Sequence, residues 1–313
     1  FYDRLDGTPK VLVNDLDFPT DHYAIRAQLR QRGLDPDEYL VAVESRDGRT
    51  IETEDVVRTM DAYDVGIVFM PGVLYRSGQL LDVERIARAA NERDIYVGFD
   101  LAHSVGVVPH HLSAWDVDFA VWCHYKHLNA GPGAVAGLYV AREHHGVTPA
   151  LAGWWGHDKA TQFDMNATYT PADHAGAFQI GTVPMLAAAP LEGALDIIDE
   201  AGIEAIREKS LAQTAYLLSL VDERLPECTV GTPRDPSARG GHVAIEHEEA
   251  YRISRSLKER GVVVDFRPPN VVRVCPAPLY TSFEDVWRVV DHLRDILDER
   301  AYEAFDPRGS GVT

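Results

Sequence analysis

The stretch that decides the fold is residues 98–137, which read GFDLAHSVGVVPHHLSAWDVDFAVWCHYKHLNAGPGAVAG. One apolar run ends at Asp100, and a second leads into Tyr125 and Lys126, directly before the glycine-rich turn NAGPG. In an open α/β sheet, ligands bind outside the carboxyl ends of the strands. We therefore expect Asp100 and Lys126 to face one site at the same edge of a sheet.

Apolar runs of strand length lie on both sides of this stretch and alternate with helical patterns. The sequence predicts strands at 10–16, 39–43, 65–70, 95–99 and 118–122, and helices at 53–61 and 81–93. Near-continuous apolar strands that alternate with helices are typical of a mostly parallel sheet covered on both faces. Residues 1–190 are therefore predicted to form a large α/β domain.

The pattern changes near Pro190, which is expected to stand just before one or two long helices over residues 191–225. Farther along, the sequence predicts strands at 242–246, 262–266 and 271–274, and helices at 248–260 and 283–304. We expect a smaller C-terminal α+β domain over residues 191–305 and a mobile tail at 306–313.

The composition limits the class of function. Aspartate and glutamate number 49 against 30 lysines and arginines, so the formal net charge is −19. A surface of this sign repels nucleic acid and anionic membranes, and neither is an expected partner. The charge fits a protein kept soluble in high salt, and it also fits an ordinary acidic enzyme of the cytoplasm. None of the three cysteines stands in a CxxC pair, which favours a reducing, cytoplasmic location.

Asp100 and Lys126 are the residue types that a pyridoxal 5′-phosphate (PLP) site needs. A lysine amine at the end of an apolar strand can act as a nucleophile that forms a Schiff base, and a carboxylate keeps the pyridine nitrogen protonated. Taken alone, a strand-capping aspartate and a surface lysine explain the same two residues. The motifs around them decide between the two interpretations.

Five motifs occur in order along almost the whole chain. They are DFPTDHYAI (17–25), FDLAHSVG (99–106), YKHLNAGPG (125–133), PALAGWWGH (149–157) and PNVVRVCPAPLYTSF (269–283). Together they resemble the kynureninase family, which is of fold type I among PLP-dependent enzymes and belongs to the aspartate aminotransferase superfamily. The resemblance implies a fold-type I large domain and a homodimer with shared active sites. Family members carry a further N-terminal stretch that contacts the phosphate, so the resemblance also implies that this part is lacking here.

The resemblance implies which residues lie at the centre of the site. Lys126 would carry the Schiff base, Asp100 would pair with the pyridinium nitrogen, and His103 would lie close by. Tyr125 would hydrogen-bond the phosphate and take part in proton transfer. Lys126 and Tyr125 are therefore the predicted catalytic residues.

The resemblance also implies contacts farther from the Schiff base. Phe18 would stack on the cofactor ring, as aromatic side chains readily do, and Asp21 in the same turn would help to hold it. Trp154 and Thr182 would complete the phosphate site from the neighbouring subunit, although the family often has asparagine in place of Thr182. Arg273 would clamp the substrate α-carboxylate with its planar pair of donors. Taken alone, Phe18 and Trp154 also fit core or interface aromatics, and Arg273 also fits a strand-edge surface residue.

The implied reaction is the hydrolysis of L-kynurenine, or its 3-hydroxy form, to L-alanine and anthranilate or 3-hydroxyanthranilate in tryptophan catabolism. Two alternatives stay open: another fold-type I activity, such as a cysteine desulfurase or an aminotransferase, and a truncated chain without catalysis. A desulfurase needs a reactive cysteine on a mobile loop, and Cys228 is the candidate. The remaining histidines lack metal-ligand spacing, so we expect no metal and predict that they lie on the surface.

Overall fold

The computed structural model describes residues 1–306, so the predicted tail lies outside it except for Asp306. Most strands belong to a six-stranded sheet. Its members are Lys10–Asn14 (β1), Leu40–Val43 (β2), Val65–Pro71 (β3), Tyr96–Asp100 (β4), Phe119–Cys123 (β5) and Ala136–Val140 (β6). The order is β2-β1-β3-β4-β5-β6, and every neighbouring pair is parallel except β5 with β6. The predicted class, a mostly parallel α/β sheet, is confirmed.

The C-terminal part contains a second sheet, of four strands. They are Thr229–Val230 (β7), Val243–Glu246 (β8), Asp265–Arg267 (β9) and Val271–Val274 (β10). The order is β7-β8-β10-β9 with antiparallel pairing throughout. The α+β character predicted for this part is therefore confirmed, whereas the division into domains at residue 190 stays a prediction.

The α-helices cover the two sheets. They are Pro19–Gln31 (α1), Pro36–Tyr39 (α2), Thr53–Ala62 (α3), Val83–Asn91 (α4), Met185–Ala201 (α5), Ile203–Arg224 (α6), Ala250–Glu259 (α7) and Phe283–Asp298 (α8). None of these helices is long and apolar enough to cross a membrane.

Helix α4 shows how the sequence positions the main core. Asp82 accepts a hydrogen bond from the backbone N–H of Arg85 at 3.0 Å, and so caps the first turn. Val83, Ile86 and Ala90 then follow at helical spacing and are buried against the large sheet. A second core joins α6, α7 and α8 to the small sheet.

The amino end of β5 is fixed by the buried carboxylate of Asp118. It accepts a hydrogen bond from the backbone N–H of Val97 at 2.6 Å, and its other oxygen lies 2.5 Å from Nε2 of His144. The opposite ring nitrogen of His144 accepts a hydrogen bond from Arg4 at 2.7 Å. His144 is therefore a buried structural residue, and the prediction that it lies on the surface is wrong.

Several predicted element boundaries are also wrong. Helix α5 begins at Met185, so Pro190 lies inside it, because the apolar residues before the proline extend the helix by more than one turn. The long helical stretch is two helices that part at Gly202, whose φ of 77° is easily adopted by glycine. Strand β9 begins at Asp265 rather than at residue 262, and the final α-helix ends at Asp298.

Candidate active site

A cavity of about 370 Å³ lies between the carboxyl edge of the large sheet and the small sheet. The segments that follow β4 and β5 contribute His103, Tyr125, Lys126 and His127 to its lining. Strands β9 and β10 contribute Asp265, Arg267 and Arg273. The cavity therefore brings residues from two distant parts of the sequence around the lysine amine.

The side chain of Lys126 points to the neighbouring strand end. Asp100 is the last residue of β4 and is paired in register with Val121 on β5, so the two strands finish at the same edge. The amine nitrogen of Lys126 lies 3.1 Å from Nε2 of His103. Lys126 and Asp100 are thus placed at one edge, as the strand pattern predicted, and His103, which the resemblance placed close by, lies beside Lys126.

His103 is set to accept the hydrogen bond from Lys126. Burial lowers the pKa of His103 well below its usual value, and the charge of Lys126 acts in the same direction. The imidazole is therefore neutral, and its Nε2 can accept a hydrogen bond from Nζ of Lys126. This contact helps to hold the Lys126 side chain in place.

Three aspartates converge at this edge, and we refer to Asp17, Asp21 and Asp100 as the acidic group. Burial, followed by the charge and hydrogen bond of Asp100, raises the pKa of Asp21 to about 7. Burial raises the pKa of Asp17 to about 8, against the opposing hydrogen bonds that Asn14 donates to it. Burial likewise raises the pKa of Asp100. The acidic group thus holds protons that fully exposed carboxyl groups would release.

The acidic group fits a protonated ring nitrogen. Oδ2 of Asp21 is buried and receives no hydrogen bond from any group within residues 1–306. A buried oxygen without a donor is costly, and an N–H⁺ group of a ligand would satisfy it. This unsatisfied acceptor therefore suits the pyridinium nitrogen of PLP, which needs a carboxylate partner.

Phe18 and Asp21 are placed by the start of α1. Phe18 immediately precedes Pro19, the first helical residue, and Asp21 lies in the first turn. Phe18 is 42% exposed, and its ring meets the ring of Tyr75 edge-on, with 5.2 Å between their centroids. Phe18 is therefore partly accessible next to the helix that carries Asp21, and its stacking role stays a prediction.

Tyr125 also lines the cavity, with about half of its surface exposed. The charge of Cys123, a hydrogen bond to Cys123 and burial all raise the pKa of Tyr125. The phenol therefore keeps its proton at neutral pH and serves as a hydrogen-bond donor.

Arg273 lies on the opposite side of the cavity with only 8% of its surface exposed. One terminal nitrogen donates to the backbone carbonyl of Tyr75 at 2.6 Å, and the other donates to Asp265. Arg267 donates to the same carboxylate oxygen at 3.2 Å. The alternative interpretation of Arg273 as a strand-edge surface residue is therefore wrong.

Trp154 and Thr182 are exposed and do not line the cavity in the part of the chain that is described. The Trp154 ring packs edge-on against Phe163, with 5.6 Å between centroids. Other large apolar residues of this region are exposed as well, namely Leu151, Phe163, Met165, Ile180, Met185 and Leu186. The phosphate-binding roles of Trp154 and Thr182 in a neighbouring subunit stay predictions.

Among the cavity residues that the sequence pattern missed are His127, His242, Asp265 and Arg267. Two of them are histidines that were predicted to lie on the surface, and that prediction is wrong. Burial lowers the pKa of His127 to about 4 and that of His242 well below its usual value, so both are neutral. The alternation of Asp265 and Arg267 along one strand was the available signal, because residues two apart share a face.

Comparison with solved structures identifies the class of fold. A cysteine desulfurase from Thermococcus onnurineus NA1, in its apo form, gives a TM-score of 0.79 at 18% identity over 95% of this chain and 74% of that chain. A C-DES mutant with glycine covalently linked to its PLP cofactor also gives 0.79 at 18% identity, over 93% of this chain and 75% of that one. The fold is that of the fold-type I PLP-dependent enzymes.

Sequence comparison identifies the family within that class. The kynureninase C-terminal domain family matches residues 206–293. The kynureninase of a Bacillus cereus strain is 50% identical over 308 residues, which are 98% of this chain and 72% of that protein. The kynureninase of Geobacillus thermodenitrificans is 51% identical over 307 residues, 97% of this chain and 72% of that protein. The chain belongs to the kynureninase family.

Proposed function

We propose that this chain provides the active site of a PLP-dependent hydrolase that cleaves L-kynurenine or 3-hydroxy-L-kynurenine. The products are L-alanine and anthranilate or 3-hydroxyanthranilate, and the enzyme acts in the cytoplasm as a homodimer. The observation that carries the proposal is the position of Lys126. Its amine meets neutral His103 at the edge that holds the acidic group, while the Arg273 guanidinium lies across the same cavity.

The residues present would hold PLP at both ends of its ring. Lys126 would bind the cofactor covalently, and Asp21 and Asp100 would hold the protonated ring nitrogen. Phe18 would pack on a ring face. When bound, PLP supplies an electron sink that stabilises negative charge at the substrate Cα.

The protein's own groups then bind the substrate and move protons. Arg273 would receive the α-carboxylate with two parallel N–H donors. The Lys126 amine, once free, would take the proton from Cα, and the phenol of Tyr125 would donate a proton in the later steps. Neutral His103 would keep the Lys126 amine in position between these transfers.

A second copy of the chain would complete the phosphate end of the site. Trp154 and Thr182 are exposed, and the surrounding apolar residues such as Leu151 and Leu186 are too numerous for an ordinary free surface. Such a patch suits a symmetric dimer contact. We therefore propose that Trp154 and Thr182 reach the phosphate of the other protomer.

A desulfurase activity is disfavoured by the state of Cys228. Its thiol is partly buried and does not line the cavity within the described chain. Burial raises the pKa of Cys228 to about 11, so the nucleophilic thiolate is scarce at neutral pH.

The test is anthranilate fluorescence after mixing the purified chain with PLP and L-kynurenine. We expect a PLP-dependent rise, and a loss of at least about a thousandfold in Lys126→Ala because the covalent attachment and the proton acceptor both disappear. Lys258→Ala, which removes an exposed lysine of α7, is the matched control and should retain full activity.

Steady turnover by Lys126→Ala would contradict the role assigned to this lysine. If the unchanged chain releases no anthranilate, the same assay is repeated on a chimera that adds the remaining part of the Bacillus cereus relative. If the chimera releases no anthranilate either, another PLP reaction replaces this proposal.

A further inference from the structure

Asp265 stands between two guanidinium groups on the cavity side of the small sheet. It lies two residues from Arg267 on β9, so both side chains are on the same face of the strand. Arg273 on β10 is paired directly opposite Asp265, and cross-strand partners also share a face. The strand register therefore places one carboxylate between two cations that face the cavity with it.

The terminal nitrogens of Arg273 are both engaged in this arrangement. One donates to Asp265 and the other to the backbone carbonyl of Tyr75 at 2.6 Å. Each terminal nitrogen has a second N–H, so a ligand carboxylate competes with Asp265 for the N–H that Asp265 now accepts and for the charge of the guanidinium. Asp265 thus occupies a position that a carboxylate ligand needs.

Arg267 has a spare donor for the displaced carboxylate. Its terminal nitrogen already donates to Asp265 at 3.2 Å, while its Nε is buried and makes no hydrogen bond within residues 1–306. If Asp265 moved from Arg273 to Arg267, it could accept from both nitrogens of the same fork. Two guanidinium charges would then face two carboxylates, and the charges of the group would balance.

We propose that Asp265 is an internal competitor for the carboxylate of the ligand, and that Arg267 retains Asp265 when the ligand displaces it from Arg273. The inference deepens the proposed function and rests on it. Asp265 and Arg267 are positioning residues in this scheme, because they set the affinity of Arg273 without contacting the ligand. A ligand that cannot form a paired contact with Arg273 fails to displace Asp265, so the pair also contributes specificity.

The first experiment measures carboxylate binding without turnover, by calorimetric titration of the purified PLP-free chain with benzoate at low ionic strength. We expect Asp265→Asn to bind benzoate about tenfold more tightly than the unchanged chain, and Arg267→Gln about tenfold more weakly. Asp291→Asn is the matched control, because Asp291 pairs with Arg224 at 2.6 Å outside the cavity, and its affinity should not change. Equal or weaker binding by Asp265→Asn, or no binding by any chain, would overturn the proposal.

The second experiment separates an indirect role of Arg267 from direct contact with the ligand. If Arg267 acts by holding Asp265, then Arg267→Gln should have little effect in a chain that already carries Asp265→Asn. A tenfold loss in both backgrounds would show that Arg267 contacts the ligand itself. Arg267→Lys and Asp265→Ser serve as second variants, and circular dichroism establishes that each chain is folded.

The same variants distinguish this inference from the proposed function. With L-kynurenine, KM should fall in Asp265→Asn and rise in Arg267→Gln, and these opposite changes are not expected from a general loss of structure. If Asp265→Asn binds benzoate more tightly and Arg267→Gln binds it more weakly, but no chain releases anthranilate, the proposed function is refuted and the competitor role of Asp265 is kept. Turnover by the unchanged chain with no gain of benzoate affinity in Asp265→Asn would refute the competitor role alone.

Discussion

Asp21 and Asp100 of the acidic group interact with the charge of Lys126, and Asp265 lines the cavity that Lys126 also lines, yet the same residue type behaves differently in the two places. In the acidic group, burial is not offset by an adequate cation, so the pKa values of Asp17 and Asp21 rise to about 8 and about 7. Burial also acts on Asp265, but the charges and hydrogen bonds of Arg273 and Arg267 outweigh it and lower the pKa of Asp265. The carboxyl groups of the acidic group therefore keep their protons to a higher pH than usual, whereas Asp265 stays ionised between its two arginines.

The difference indicates what each side is prepared to bind. The acidic group gains most from a ligand that brings positive charge, since the incoming cation offsets the cost of ionising buried carboxyls. Arg267, Arg273 and Asp265 together carry one excess positive charge and gain most from a carboxylate. The orientation proposed for PLP and substrate therefore agrees with the polarity of the site.

The largest expected effect comes from Asp100→Asn, which removes charge from the acidic group with little change of shape. We expect kcat to fall about thousandfold, because an amide does not keep the ring nitrogen protonated and the electron sink weakens. Steady-state release of anthranilate measures the loss, with Asp199→Asn on the exposed face of α5 as control. Activity within threefold of the unchanged chain would show that Asp100 does not hold the ring nitrogen.

A smaller effect is expected from Arg273→Lys on the other side of the site. The charge is retained but the planar pair of donors is lost, so kcat/KM should fall about a hundredfold, mainly through KM. Arg252→Lys provides the control, because Arg252 binds the carbonyl of Phe305 at 2.8 Å and does not line the cavity. A loss confined to kcat would contradict the assignment of Arg273 to substrate binding.

The smallest effect concerns the stability of the PLP-free chain. The pKa of Asp21 is about 7 in the folded chain and near its ordinary value of 3.8 when unfolded. The folded state therefore binds more protons, so this contribution to stability is complete below about pH 4 and is lost as the pH rises through about 7. Asp21→Asn should remove the loss, and raise Tm at pH 8 by a few degrees while leaving Tm at pH 4 nearly unchanged.

Thermal unfolding followed by circular dichroism at the two pH values tests this expectation. Asp199→Asn is the control again and should follow the unchanged chain at both. A lower Tm for Asp21→Asn at pH 8 would mean that the Asp21 carboxyl stabilises the fold at this pH, which contradicts the expectation that its ionisation lowers stability.

Sequence reasoning found the parts of the molecule that depend on local pattern. The apolar runs that became β3, β4 and β5 are each bounded by polar residues, and the rule on strand ends placed Asp100 and Lys126 at one edge. The antiparallel strand β6 was missed because it directly follows a glycine-rich turn and its residues, AGLYV, do not alternate between polar and apolar. Helix α1 was missed because only Leu29 of its residues is fully buried.

The rest of the site depends on contacts between distant segments. Nothing in the local sequence of Asp265 reveals that Arg273 stands opposite it, because that register is set by the turn between β9 and β10. The burial of His242 results from the packing of the small sheet against the segment around Gly78. A polar residue such as His242 was therefore predicted to lie on the surface, because its burial depends on the packing of one sheet against the other.

The two cavity guanidiniums also have a consequence for molecules still far from the protein. The chain as a whole carries a formal charge of −19, so a dianion is repelled over the Debye length of about 10 Å at moderate salt before it meets either guanidinium. A zwitterion carries no net charge and approaches without this penalty. The net charge of a small molecule thus affects its association rate, whereas the shape of the cavity determines whether it remains bound. Ionic strength should consequently alter the arrival of a phosphate ester far more than the arrival of a neutral amino acid.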